Sequence, residues 1–334
     1  MQEDIKMDLR ERTYLRIREL IYSYGIRSGL SFSVIRFLIK LCNAVFSPVD
    51  FYRRYFLAKT ITRNSNLRNF IPRDKGYATF GAGELSFLEP LERVTRKIYE
   101  TRAKEVSARQ KEMHYCELIS PQDFKEYPEL LETATSHEVV AIISDYLGVV
   151  PRLQRVQIWL STPELTKYQP DGEVEEETVV VNRQVHKRKD VSAYHLDKPE
   201  EHMVYLFILL TDVAVENGPF VFIPKKMSDK FLKKINYGKN LFARLPPVSK
   251  NDEAQYLKDD AITVTGKAGE GIFVDVAQCL HKSSLCTEGE RALVVISYRS
   301  PRPYFQCVQT LNEGIRLHTR DDDNPDNLIQ NFVL

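Results

Sequence analysis

The two halves of this 334-residue chain follow different periodicities. Up to about residue 149, apolar residues recur at helical spacing. From 150 onward, short runs rich in Val, Ile, Phe and Tyr alternate with turn residues. These runs occupy 153–160, 178–181, 203–210, 220–223, 262–265, 271–276 and 292–298. With a further strand expected around His195, they make about eight. Eight antiparallel strands can close as a two-sheet jelly roll, which protects its edges and encloses a cavity. The expectation is an α+β fold with a double-stranded β-helix (jelly-roll) core and a helical N-terminal layer. Residues 1–149 would form that layer, and 150–310 the core, with an insertion near 225–260. Residues 311–334 would be a polar tail, although Phe332, Val333 and Leu334 could dock back.

Within the helical half, Leu9, Tyr14, Leu15, Ile17, Leu20 and Ile21 begin a pattern that predicts helices over 8–62. The run from Leu30 to Phe46 contains Arg36 and Lys40, and is too short and too charged to span a bilayer. Residues 1–75 carry 15 Lys/Arg against 7 Asp/Glu. The expected arrangement is a layer packed on the core with its basic side in water. The alternative is a basic amphipathic face for an anionic membrane or a partner. Gly81-Ala82-Gly83 reads as a turn before a helix over 89–109, with Pro90 in the first turn, where its missing N–H costs little. Two more helices are expected near 121–133 and 137–147.

Composition narrows the class. A net charge of +1 gives no basic field for nucleic acid. The five cysteines, Cys42, Cys116, Cys279, Cys286 and Cys307, are odd in number and lack C-x-x-C spacing. They fit a reducing, cytoplasmic setting better than a disulfide framework. The chain opens on Gln2, Glu3 and Asp4 rather than the basic-then-apolar pattern of a secretory signal.

The chemistry concentrates at His195-Leu196-Asp197, His281 and Arg291. In an extended strand, residues i and i+2 point to the same side, so His195 and Asp197 can both reach one metal. A third ligand must come from a distant strand, and His281 follows the run 271–276. Two imidazoles and one carboxylate can occupy one face of an octahedral iron(II) and leave the other face open. Arg291 begins the run ending at Tyr298, where a guanidinium can grip a carboxylate with two parallel hydrogen bonds. Cys279 and Cys286 flank His281, but thiolate ligands suit zinc better than an oxygenase iron. His202 and His186 are candidate acid–base groups, and Arg299 is the competing arginine.

This order resembles the phytanoyl-CoA dioxygenase-like family of iron(II)/2-oxoglutarate-dependent oxygenases. The matching segments are Tyr194–Asp197, Glu216-Asn217-Gly218 through Ile223-Pro224, Gly269–Asp275, and His281-Lys282-Ser283 with Arg291. They cover roughly residues 150 to 300. The chain departs at Lys225–Ser228, where the family usually has Gly-Ser-His. The resemblance implies metal ligands His195, Asp197 and His281, and a co-substrate carboxylate held by Arg291 and Ser283. It also implies that Gln157 faces the co-substrate or substrate, while the lone tryptophan, Trp159, reads as core. The implied cofactors are Fe(II), 2-oxoglutarate and O2, with ascorbate in support. The implied activity is hydroxylation of an unactivated C–H bond in a small molecule, releasing succinate and CO2. Asp197 favours hydroxylation over halogenation, since related halogenases carry a small residue there. Two alternatives stand beside this reading. One is a jelly-roll protein that binds metal for structure or sensing. The other is an oxygenase of protein side chains, with the charged stretch 171–190 as a lid or docking segment.

Overall fold

The longest antiparallel ladder joins β11 (Arg291–Arg299) to β3 (Arg152–Ser161) on one side and to β6 (Met203–Leu209) on the other. The computed structural model describes residues 9–63, 65–106, 115–163, 179–181, 184–186, 193–197, 201–234, 257–301 and 333. Strands β9 (Gly271–Asp275), β1 (Tyr77–Phe80) and β2 (Cys116–Glu117) complete a six-stranded antiparallel sheet in the order β1-β9-β6-β11-β3-β2. A second sheet has the order β10-β7-β8, formed by β10 (His281–Ser283), β7 (Phe220–Phe222) and β8 (Ile262–Val264). Strands β4 (Val179–Val181) and β5 (Gln184–His186) pair with each other. The fold is α+β, with antiparallel sheets and helices. The expected run near His195 contributes an isolated bridge to His281. Strands β1 and β2 come from the stretch that periodicity marks as helix and turn.

Every residue of β6, β9 and β11 is buried, so the large sheet is covered on both faces. Alternation assigns the faces. Tyr205, Phe207, Leu209, Ile272, Val274, Leu293 and Val295 share one cluster with Phe220 and Phe222 of the small sheet. Ring contacts cross this gap, with Phe207 4.9 Å from Phe220 and Tyr77 4.8 Å from Phe222. The opposite residues, Val204, Leu206, Ile208, Phe273, Val294 and Ile296, pack against helices. Those helices are α4 (Glu89–Val106), α5 (Asp123–Glu126), α6 (Glu129–Ala134) and α7 (His137–Leu147). Each fully buried aliphatic side chain contributes roughly 1.5–3 kcal/mol to holding the layers together. Ser136 caps α7 by accepting from Val139 N–H, and Gly148 ends it in the left-handed region at φ 71. Val333 is also buried in this cluster, as the docking expectation for the end of the tail requires.

Helices α1 (Leu9–Arg27), α2 (Phe32–Phe46) and α3 (Pro48–Arg63) begin the chain. Buried polar contacts tie them to the core. Asn43 Nδ2 donates to Pro301 O at 3.1 Å, Arg54 reaches Pro151 O at 3.3 Å, and Arg18 pairs with Glu201. The outward side exposes large apolar residues, including Phe37, Leu41 and Phe56, beside basic ones such as Arg53 and Arg63. The predicted insertion begins as α8 (Lys225–Lys234). Residues 235–256 lie outside the described residues, as do 107–110 at the expected end of α4. The same holds for most of the charged stretch 171–190 and for the polar tail apart from Val333.

Candidate metal centre

His195 and His281 exchange backbone hydrogen bonds, each N–H 3.0 Å from the other's carbonyl oxygen, and Asp197 N–H donates to Val276 O at 3.0 Å. This extends the small sheet by one irregular strand and sets its alternation. Tyr194 and Leu196 turn outward into a cluster with Val221, Ile223, Phe231 and Leu280. His195 and Asp197 turn the other way. His281 lies opposite Phe222 in β10, and its ring is 5.5 Å from that of Phe220.

The three side chains converge. Asp197 Oδ1 is 3.8 Å from His195 Nε2, and Oδ2 is 3.8 Å from His281 Nε2. One ligand atom from each residue falls within 4.8 Å of the other two, close enough for a single ion to touch all three. Both imidazoles are oriented from behind. His195 Nδ1 is 2.9 Å from Ala193 O, and His281 Nδ1 is 3.1 Å from Cys279 O. A carbonyl only accepts, so each Nδ1 carries the proton and each Nε2 offers its lone pair inward, as a metal-ligating histidine requires. Burial, with the neighbouring His195, depresses His281 to about 4, which keeps it in the neutral, ligating form. The donor set is nitrogen and oxygen. Cys279 Sγ instead lies 3.8 Å from the carbonyls of Lys75 and Gly76, and burial holds its thiol protonated.

Arg291 shares the inner parity of Leu293 and Val295 on β11, so its guanidinium enters the space between the sheets. It donates to Gly218 O and, at 3.1 Å, to Ser161 Oγ. It is 5% exposed, yet among the described residues it has no carboxylate partner and its Nε has no acceptor. Burial lowers its pKa to about 10. A buried guanidinium without a counter-ion costs several kcal/mol, so this donor set fits a bound carboxylate. Gly218 explains the Asn-Gly motif. Its φ is +72, and an added Cβ would lie 2.5 Å from Cys286 N, so the turn is pressed against the loop after Ser283.

Ser283, two residues from His281 in β10, is paired with Phe220 and partly exposed. Gln157 pairs with Val295 in β3, and its Oε1 accepts from Trp159 Nε1 at 3.2 Å. Trp159 packs on the inner cluster and stacks on Tyr115 at 4.4 Å. Arg299 is 1% exposed and held by Glu201 at 3.2 Å. His186 falls in β5. The structure thus gathers His195, Asp197 and His281 directly, while Arg291, Ser283 and Gln157 lie on the elements around them.

Two features escape the sequence reading. Tyr205 Oη donates to Asp197 Oδ2 at 3.1 Å, and burial followed by the Asp197 charge keeps this phenol protonated. Its inward parity within β6 was the available signal. On the helix-facing side, Asp275 Oδ2 accepts from Tyr146 at 2.9 Å, from Gln278 at 2.5 Å and from His202 Nδ1 at 2.9 Å. Its Oδ1 accepts from Ala277 N–H at 3.0 Å. This carboxylate ties down the 276–279 loop, whose carbonyls hold the Asp197 N–H and His281 Nδ1. His202 is therefore an Asp275 partner rather than a group facing the metal ligands.

No family model and no curated protein matches the chain. Several solved structures are similar. The non-heme alpha ketoglutarate dependent epimerase SnoN from nogalamycin biosynthesis is 16% identical, with 73% of this chain and 81% of that one covered, at a TM-score of 0.39. HygX from Streptomyces hygroscopicus, with nickel and 2-oxoglutarate bound, is 14% identical, covering 75% and 93%, at 0.42. EctD from S. alaskensis with bound Fe is 13% identical, covering 68% and 73%, at 0.41. These likenesses are remote, and the chemistry of this chain is read from its own side chains.

Proposed function

We propose that this chain is an iron(II)/2-oxoglutarate-dependent oxygenase with a jelly-roll core, of the phytanoyl-CoA dioxygenase-like kind. The observation that carries the reading is the convergence of His195, Asp197 and His281 with both Nδ1 atoms turned onto backbone carbonyls. Two sheets enclosing one apolar cluster support the jelly roll. His195, Asp197 and His281 would hold the iron. When bound, iron(II) with 2-oxoglutarate and O2 supplies the oxidising chemistry that hydroxylates an unactivated C–H bond and releases succinate and CO2, with ascorbate in support. The chain's own residues bind and orient. Arg291 holds the far carboxylate of 2-oxoglutarate; among the described residues its Nε has no acceptor and it has no carboxylate partner, which favours this over a purely structural metal site. Ser283, on the same side of β10 as His281, donates to that carboxylate, and Gln157 lines the approach from β3. Tyr205 holds Asp197 in its ligating orientation. The substrate is a small organic molecule. Four described cysteines are buried free thiols, which supports a cytoplasmic setting.

The test is succinate release by the purified chain across a metabolite library, with iron(II), ascorbate and 2-oxoglutarate present. The reading expects substrate-dependent succinate that disappears in Asp197→Ala. Turnover that persists without iron or without 2-oxoglutarate would contradict it.

A further inference from the structure

Helices α2 and α3 present an apolar surface that nothing in the described chain covers. On α2 the buried residues Ile35, Ile39 and Cys42 face the core. At the complementary helical positions, Phe37 is 64% exposed, Leu41 54% and Val45 66%. On α3, Val49 is 63% exposed, Tyr52 54% and Phe56 62%, again at helical spacing. Only Ser47 separates the two helices, with Val45 near the end of α2 and Val49 near the start of α3. An exposed apolar run of this extent marks an interaction site.

The charges beside it identify the occupant. Helices α2 and α3 expose Arg53, Lys59 and Arg63, whereas the Lys40 ammonium lies by Gly148 on the core side. Their one acidic residue, Asp50, is partly buried and bonded to Arg54 Nε at 3.0 Å. A second copy of the chain would set these like charges against each other, whereas an anionic bilayer neutralises them. Length rules out a simple crossing. The 15 residues of α2 extend about 22 Å against roughly 30 Å of hydrocarbon, and the pair is bent by 116°. Apolar side chains between basic ones on short helices are what an interfacial element needs in order to lie in the headgroup plane.

We propose that the α2–α3 ridge is a peripheral docking surface for an anionic phospholipid membrane. Phe37, Leu41, Val45, Val49, Tyr52 and Phe56 enter the acyl boundary, and Arg53, Lys59 and Arg63 meet the headgroups. The face lies opposite the core-packing side of the same helices, so docking leaves the fold intact.

The experiment is co-sedimentation of the full chain with vesicles of phosphatidylcholine alone or mixed with phosphatidylserine at about 3:1. The wild type should pellet with the anionic vesicles, several-fold less with the neutral ones, and less again as salt rises. F37S/L41S should lower partitioning by roughly tenfold or more. R53E/K59E should abolish the preference for anionic lipid. These side chains are solvent-exposed, so both variants should keep the wild-type circular dichroism and melting temperature. The proposal is overturned if the wild type stays in the supernatant with anionic vesicles, or if F37S/L41S pellets as the wild type does. It is equally overturned if light scattering finds a wild-type dimer that F37S/L41S splits, because the ridge then belongs to a second copy.

Discussion

Tyr205 reaches from the six-stranded sheet to Asp197 beside the small sheet, its hydroxyl 3.1 Å from Oδ2. The proposed carboxylate ligand is therefore oriented from the opposite wall of the inter-sheet space. An outer partner of this kind usually tunes metal affinity or activity by about 10- to 100-fold. Tyr205→Phe should weaken iron binding within that range while the melting temperature moves little. Equilibrium dialysis with metal analysis reads the first quantity, and unchanged affinity would remove Tyr205 from the account.

Arg291 and Arg299 stand at opposite ends of β11 and should fail differently. Arg291→Ala should weaken 2-oxoglutarate binding by about ten- to a hundredfold, since it removes a charge-assisted pair, and leave iron affinity near the wild-type value. Arg299→Ala leaves the buried Glu201 with Arg18 as its remaining described cation, so it should cost stability on the order of 1.5–3 kcal/mol without a specific effect on 2-oxoglutarate. Titration calorimetry and thermal melting separate the two. The reverse pattern would mean that the wrong arginine has been assigned.

Asp275 acts at a distance from the metal ligands. Asp275→Asn keeps the shape but removes a buried carboxylate that accepts from Tyr146, Gln278 and His202. The 276–279 loop should loosen, lowering both stability and iron affinity, whereas His202→Ala should produce a weaker version of the same effect. Wild-type iron affinity in Asp275→Asn would show that the loop is held by other contacts.

Glu117 gives a signed pH dependence. Burial raises its carboxyl to about 7, only partly opposed by the N–H groups of Ile119 and Ile158. Between the ordinary carboxylate range and pH 7, the folded state holds a proton that the unfolded state has released. Its contribution to stability is full below about pH 4.5 and is lost as pH rises through 7. Glu117→Gln should therefore raise the melting temperature by a few degrees at pH 8 and have little effect at pH 4.5. Equal shifts at both pH values would contradict this.

Much of the architecture was legible because burial imposes period. The runs at 203–210, 271–276 and 292–298 became β6, β9 and β11, and the helix expected near 137–147 became α7. The i, i+2 rule brought His195 and Asp197 to one side. What stayed hidden depends on contacts that no helix or strand period encodes. Strands β1 and β2 are short edge pieces with no alternation of their own to read. Tyr205 and Asp275 looked like ordinary members of apolar strands until their partners, 8 and 129 residues away, were known. The exposure of Phe37, Leu41 and Val45 on α2 was not legible because a helix apolar on two sides looks in sequence like one buried more deeply.

The most direct measurement of the central claim is anaerobic binding of iron(II), then of 2-oxoglutarate, to the wild type and to Asp197→Ala. One iron per chain should bind to the wild type, 2-oxoglutarate should bind far more tightly with iron present than without it, and both properties should be lost in the variant. Iron bound equally well by Asp197→Ala, or 2-oxoglutarate binding that ignores the metal, would contradict the account.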